Sequence, residues 1–191
     1  MFSLAYKKAL EATMQSPLSL CDRLDLVPTP AQQKMLSRFD ACVKGLEHTR
    51  HAMFKRVDFL EGDSFEAARA AAVCAMWRLL VSKGSSCVVL APARYPSVEF
   101  MDFLGKVVRS RSNDLTYICD FPRWNVLKLG GVNGWELRLM PNLPAIVREE
   151  SSRALISIEL CAGDSSVEFT ESCKALEEAN KNEKNVLIRV W

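Results

Sequence analysis

The sequence lacks the residues and runs that would assign it to several common protein classes. It has 191 residues but only two histidines, and no two of its seven cysteines form a Cys-x-x-Cys pair. Zinc sites are commonly built from such pairs and from histidines, so no metal site is expected. No run reaches the length of about 18 apolar residues that a membrane-spanning helix needs. The net charge of +2 is near neutral and does not indicate a protein that coats nucleic acid.

The cysteines are odd in number and scattered, and several lie inside apolar runs. This usage is typical of small buried hydrophobic residues in a reducing compartment. The N-terminus places lysines after its first apolar residues and has no secretory signal pattern. Together these features predict a cytoplasmic protein with no membrane partner. With 49% hydrophobic residues, the chain can bury the core of one principal domain.

The N-terminal part has helical patterns separated by prolines. Residues 2–15 predict a short amphipathic helix, and residues 31–46 predict a second helix, with Pro30 suited to its first turn. The segment marked by Pro17, Pro28 and Pro30 is interpreted as a linker. We therefore expect a helical segment over 1–46 and an α/β domain over 47–191.

Residues 54–80 read as a strand, a glycine turn and a long alanine-rich helix. The strand is predicted over about 55–61 and the helix over 64–81, with Asp63 as N-cap and Glu66 three residues later, as in a capping box.

Strands and helices continue to alternate beyond this segment. Strands are predicted at 86–91, 115–119, 125–129, 135–140, 154–160 and 185–191, with helices from Ser97 to about 108 and from Asp164, Ser165 or Ser166 to Ala179. Glycines between the strands at 125–129 and 135–140 favour a hairpin, and residues 141–145 are interpreted as a loop. The alternation predicts an α/β fold, with a mainly parallel twisted sheet and helices on both faces.

The turn at Gly62 has the layout of a phosphate-binding loop without its reactive residues. A working loop reads G-x-x-x-x-G-K-[ST], in which the lysine reaches the phosphates and the hydroxyl holds magnesium. With Gly62 as first glycine, Ala67 replaces the second glycine, Ala68 the lysine and Arg69 the hydroxyl residue. Arg69 lies about 100° round the helix from the lysine position, so it replaces that contact poorly.

The acidic half of a nucleotide site is also incomplete. Nucleotide motors place an acidic pair after an apolar strand, one carboxylate for magnesium and one to activate water. The strand at 154–160 offers Glu159 at the first position but Leu160 at the second. Glu159 is either a vestige of that pair or an ordinary acid at a strand end.

Four segments in order resemble the ATPase domain of phage terminase large subunits, the motors that drive DNA into viral capsids. PTPAQQKML (28–36), with Gln32, is similar to the adenine-sensing glutamine motif, and residues 59–80 resemble the strand, phosphate loop and helix. Residues 87–108 are similar to the next strand, its Ala-Pro turn and helix, and residues 154–169 to the acidic-motif strand and following loop. The resemblance implies a P-loop NTPase-like fold over most of residues 28–191. Both nucleotide-handling motifs depart from the family pattern, and the sequence given has no segment resembling the nuclease domain. The resemblance, with these departures, therefore implies a degenerate relative of the family that has no nucleotide cofactor and no catalytic residue.

Basic residues supply the other candidate surface. Arg94, Lys106, Arg109 and Arg111 flank the helix that follows the second strand, where they either contact DNA phosphates or an acidic partner, or form a solvated helix end. The basic segment at 48–56 has the same two interpretations, and its His48 and His51 are expected to be surface residues.

Three functions follow from these observations. The first is a non-catalytic protein-binding or regulatory protein of a phage or prophage, with packaging or virion components as partners and with surface from residues 2–46, 92–96 and 141–144. The second is an enzyme that uses Glu159, Arg69 or Gln32 to handle a nucleotide in a nonstandard way. The third is a DNA-binding accessory factor.

Overall fold

The computed structural model of the chain describes residues 15–45, 55–59, 64–82, 85–92, 100, 102–105, 128–130, 136–160, 166–180 and 185–190, of which 55–59, 64–65 and 128–130 are described by their backbone alone. Helices and strands alternate along most of these residues. In chain order they are α1 (Pro17–Arg23), α2 (Pro30–Lys44), β1 (Lys55–Phe59), α3 (Ser64–Val81), β2 (Ser86–Leu90), β3 (Lys128–Gly130), β4 (Glu136–Met140), α4 (Pro144–Ser151), β5 (Ile156–Leu160), α5 (Val167–Ala179) and β6 (Val186–Val190). Residues 102–105 are helical as well.

The strands form one six-stranded sheet in the order β1-β6-β5-β2-β4-β3. The first five strands of this order run parallel, and β3 pairs antiparallel with β4 at one end. Every residue of β5 and β6 is buried, as expected for central strands of a parallel sheet covered on both faces. The sheet is thus mainly parallel, as the sequence predicts.

Helices α1, α2 and α3 cover one face of the sheet. Alternate residues of β5 and β6, among them Ile158 and Ile188, pack in one core cluster with Leu20 of α1, Phe39 of α2 and Leu79 of α3. Helix α3 is rich in buried alanine, which lets its backbone approach the sheet closely. The helical segment predicted over 1–46 therefore shares its core with the sheet wherever the structure describes it.

Helices α4 and α5 cover the opposite face. Val147 of α4 and Phe169 and Leu176 of α5 form a second cluster with Val88 of β2 and Leu187 of β6. The two clusters use alternate residues of the same strands, which point to opposite faces because side chains in a strand alternate.

Local sequence signals account for several helix boundaries. Thr29 and Gln32 form a capping box at the start of α2, and Gly45 ends that helix with a left-handed φ of 71°. The hydroxyl of Ser16 caps α1, and that of Ser166 caps α5. Ser166 is thus the cap among the three residues that the sequence proposes.

Two sequence interpretations are wrong. The segment interpreted as a linker contains α1, with Pro17 in its first turn, and the segment interpreted as a loop after β4 leads directly into α4, with Pro144 in its first turn. Proline is compatible with the first helical turn because that position needs no amide hydrogen bond. The other predicted elements that fall on described residues are confirmed, including the hairpin of β3 and β4. The predicted helix at 2–15 (apart from residue 15), the strand at 115–119, and the caps Asp63 and Ser97 lie outside the described residues.

Candidate functional site

The start of α2 is bound to the first turns of α3 through Gln32. The Gln32 side-chain oxygen accepts a hydrogen bond from the Thr29 amide at 3.0 Å, and its Nε2 donates to the Glu66 carbonyl oxygen at 3.3 Å. The carboxamide of Gln32, predicted to correspond to an adenine-sensing group, is therefore engaged at both ends by the protein itself. A nucleobase edge could be read only through the second lone pair and the second N–H, in the orientation that these two bonds impose.

The residues at the phosphate-loop positions lie in the early part of α3. Ala67 and Ala68 are 2% and 5% exposed and belong to the core cluster on this face of the sheet. Both methyl groups pack internally and offer no charge to a phosphate. Gly62, the first residue of the compared motif, lies outside the described residues.

Arg69 is exposed and lies beside Phe103. The centre of its guanidinium is 5.9 Å from the centroid of the Phe103 ring, within the range of a cation–π contact. Arg69 forms no salt bridge with another residue in the part of the chain that the structure describes. Its charge is therefore available to an outside group.

Gln32, Arg69 and Phe103 line a small cleft between α2, α3 and the segment that joins α1 to α2. The cleft has a volume of about 100 Å³. Ligand pockets for small molecules and cofactors usually enclose about 300–1,000 Å³, so the cleft is smaller than a nucleotide site. Its remaining walls are Cys21, Leu26, Val27, Pro28, Leu36, Ala70 and Val73.

Glu159 lies on the other face of the sheet, in an internal ion network. Its carboxylate accepts a hydrogen bond from Arg189 Nε at 2.8 Å across the β5–β6 pair, and Glu159 is 3% exposed. A second guanidinium nitrogen of Arg189 donates to Glu177 of α5 at 2.9 Å. Arg189 thus bridges two strands and one helix, and the Glu159 carboxylate already has a cation as its partner.

The electrostatics of Arg189 follow from this arrangement. Burial alone lowers the pKa of an arginine, but the charges and hydrogen bonds of Glu159 and Glu177 raise the pKa of Arg189 overall. The guanidinium therefore stays charged near neutral pH, and the network keeps its cation.

Leu160 is fully buried in the core cluster that contains Ala67 and Ala68. Glu159, the preceding residue, points to the face covered by α4 and α5. The structure therefore brings together Gln32, Ala67, Ala68 and Arg69 and places the Glu159 carboxylate on the opposite side of the sheet.

The cysteines of the core are poor candidates for nucleophiles. Burial, and then the negative charge of Asp22, raises the pKa of the Cys21 thiol to about 11. Burial also raises the pKa values of Cys74 and Cys87. Since the thiolate is the reactive form, these three thiols are held in their unreactive state near neutral pH.

The predicted basic surface and the two histidines fall on residues that the structure does not describe. Arg94, Lys106, Arg109, Arg111, His48 and His51 lie outside the described residues, so the basic surface keeps both interpretations.

Across the described ranges, no group of three or more histidine, cysteine or acidic side chains is placed to hold a metal ion. In the same part of the chain, no helix is both long and apolar enough to cross a membrane.

Solved structures that share this arrangement of sheet and helices include two of one phage domain. One is the large terminase ATPase domain of Thermus phage P74-26, at a TM-score of 0.51 and 18% identity, matched over 88% of this chain and 66% of that domain. The fold of the chain is that of a terminase ATPase domain. The other structure is an arginine-to-alanine mutant of the same phage domain, at a TM-score of 0.53 and 16% identity, matched over 88% of this chain and 67% of that one. The chain thus spans about two thirds of the length of the terminase domain. No protein-family model matches this chain, and no curated protein does.

The sequence pattern does not indicate the roles of three residues that shape these sites. They are Phe103 at the cleft, and Arg189 and Glu177 in the ion network. β6 reads VLIRV, an apolar run with Arg189 as its one charge, and such a run is a signal of a buried cation that needs a partner. The identity of that partner depends on strand order, which no local pattern provides.

Proposed function

We propose that this chain is a non-catalytic binding protein on a terminase-like ATPase scaffold. It acts in a phage or prophage through contact with a protein of the DNA-packaging machinery or the virion, and it neither binds nor hydrolyses ATP. The likeness to a terminase domain supports the setting in DNA packaging. Residues of the chain itself support the proposal that ATP is neither bound nor hydrolysed.

The observation that carries the proposal is the ion pair between Glu159 and Arg189. A carboxylate that holds magnesium must be free to face the metal and the phosphates. Glu159 instead lies in a buried pair with a guanidinium that is itself held by Glu177. Freeing Glu159 for magnesium would remove a buried carboxylate from the buried Arg189 charge, which is costly.

Two further observations support the same conclusion. Gln32 uses its carboxamide to cap α2 and to bind the Glu66 carbonyl, and Ala68 presents a buried methyl group at the position of the phosphate-binding lysine. An ATP molecule would therefore find a carboxamide whose orientation is already fixed by the protein, and no lysine cation. Arg69 could supply charge, but its cleft has a volume of only about 100 Å³.

Calorimetric titration of the purified chain with Mg-ATP tests the proposal. We expect no saturable heat, corresponding to a dissociation constant weaker than about 1 mM. A working terminase ATPase domain titrated in the same buffer is the positive control. Saturable binding in the micromolar range would overturn the proposal and favour a nucleotide-binding protein of nonstandard type.

A further inference from the structure

The cleft beside Arg69 combines apolar walls with one charge that the described part of the chain does not neutralise. Leu26, Val27 and Pro28 form one side, and Ala70 and Val73 of α3 lie among the facing residues. Val27 is 93% exposed, although it is an aliphatic residue beside an apolar depression. An apolar rim of this kind stays in contact with water unless another molecule covers it.

The volume of the cleft limits what can enter it. An engineered apolar cavity of about 150 Å³ binds benzene, so a space of about 100 Å³ suits one branched apolar side chain. A dipeptide or a nucleotide cannot be enclosed whole. The occupant must therefore be a small apolar group whose remaining parts stay outside the cleft.

The polar groups at the cleft specify what lies next to that apolar group. The Gln32 carboxamide is fixed by its bonds to Thr29 and Glu66, and it can add only a neutral contact through its second lone pair and second N–H. Arg69 remains, with its guanidinium placed over the Phe103 ring and with no acidic partner among the described residues. A guanidinium in this state binds an anion such as a carboxylate through two parallel hydrogen bonds, and a carboxylate is the anion that a protein segment carries in its own side chains.

From this geometry we propose that the cleft is a docking site for a segment of a partner protein that inserts one branched apolar side chain and pairs an adjacent carboxylate with Arg69. This inference rests on the proposed function, since it names the surface through which a protein partner is recognised. The matching requirements are an aliphatic side chain of leucine size and an acidic residue beside it. A partner segment that has only the aliphatic side chain, or only the acidic residue, should be recognised less specifically than one that has both.

Blocked dipeptides provide a direct test by NMR, with binding measured from amide chemical shifts of the full chain. The probe is acetyl-leucyl-aspartate amide, compared with acetyl-leucyl-asparagine amide and acetyl-alanyl-aspartate amide. We expect the first to bind with shifts centred on Val27, Gln32 and Val73. Loss of the carboxylate should weaken binding about threefold to fivefold, as for an exposed ion pair. Loss of the leucine side-chain carbons should weaken it at least about tenfold.

The variant Arg69→Gln tests the charge, because the change lies on an exposed helix position and should leave the fold intact. In this variant the aspartate and asparagine dipeptides should bind equally. Lys174→Gln, an exposed change on α5 across the sheet, is the matched control and should keep the preference for aspartate. Equal binding of all three dipeptides to the unmodified chain, or shifts that lie away from the cleft, would overturn the docking site.

Two outcomes separate this inference from the function on which it rests. If 4-methylpentanoate binds as tightly as acetyl-leucyl-aspartate amide, the occupant is a small carboxylic acid and the peptide site is wrong. If no probe binds at its solubility limit and Mg-ATP does not bind either, the docking site fails while the non-catalytic function stands. Saturable Mg-ATP binding on the same sample overturns the proposed function, whatever the dipeptides do.

Discussion

Arg189 binds two carboxylates that come from different layers of the fold. Glu159 reaches it from the neighbouring strand β5, and Glu177 reaches it from α5, which packs over both strands. The two carboxylates are not equivalent, because Glu159 is almost fully buried whereas the Glu177 side chain is 39% exposed. Most of the cost of disrupting the network should therefore come from the pair between Arg189 and Glu159.

Replacing Arg189 with methionine should lower the free energy of unfolding by about 3–5 kcal/mol, because the buried Glu159 carboxylate then loses the guanidinium that faces it across the strand pair. The control Glu177→Gln should cost no more than about 1 kcal/mol, since its carboxylate is partly solvated. Urea denaturation measures both effects. The double variant Glu159→Leu with Arg189→Met should recover at least half of the loss, because no unpaired buried charge remains. Additive losses in the double variant would show that the pair is not the source of the effect.

Helix α2 is positioned by signals that are visible in the sequence and by one contact that is not. Thr29 and Gln32 are recognisable as a capping box, and Pro30 as a first-turn residue. The second hydrogen bond of Gln32, to the Glu66 carbonyl, joins residues far apart in the chain and depends on how α2 packs against α3. The residue at which α2 starts can thus be predicted from the sequence, whereas the contact between α2 and α3 cannot.

Replacing Gln32 with alanine should destabilise the chain by about 1–2 kcal/mol, because both the capping box and the bond to α3 are lost. The neighbouring Gln33 makes a single hydrogen bond at the surface, to the Pro28 carbonyl, so Gln33→Ala is a matched control with an expected cost below about 0.5 kcal/mol. Thermal or urea unfolding distinguishes the two variants. Equal costs would contradict a structural role for the Gln32 carboxamide.

The sequence predicts the type of most elements but misses the two shorter helices. Helix α4 buries few of its residues, among them Val147 and Ser151, so its apolar spacing is weak and the two prolines around its start favour a loop. Helix α1 is also short and begins at a proline. The long α3 and the central strands carry enough apolar residues to be recognised without any tertiary information. The composition of the cleft could not be predicted, because its walls come from three separate segments.

The two faces of the sheet carry different groups of the predicted site residues. One face carries Gln32, the early residues of α3 and the cleft, and the other carries the Glu159 network under α5. The residues compared with a nucleotide site are therefore not assembled around one volume. This separation depends on the alternation of side chains along β5, where Glu159 and Leu160 point to opposite faces.

Hydrogen exchange should reflect the order of the strands. The amides of β5 and β6 should exchange most slowly among the described elements, because both strands are paired on two sides and buried on both faces. The amides of β3, at one end of the sheet order, should exchange faster by at least about tenfold. Exchange measured by mass spectrometry of peptic fragments resolves the two groups. Slower exchange in β3 than in β6 would contradict this ranking.

The position of β6 between β1 and β5 has a consequence for how the molecule is made. β1 comes early in the chain and β6 comes last among the described strands, yet the two are direct neighbours in the sheet. Until residues 186–190 have been synthesised, β1 lacks its neighbour among the described strands, and β5 lacks one of its two. Pairing between such distant segments slows folding and leaves strand edges open to other chains in the meantime. During synthesis the edges of β1 and β5 therefore stay open until β6 emerges between them and joins the two parts of the sheet.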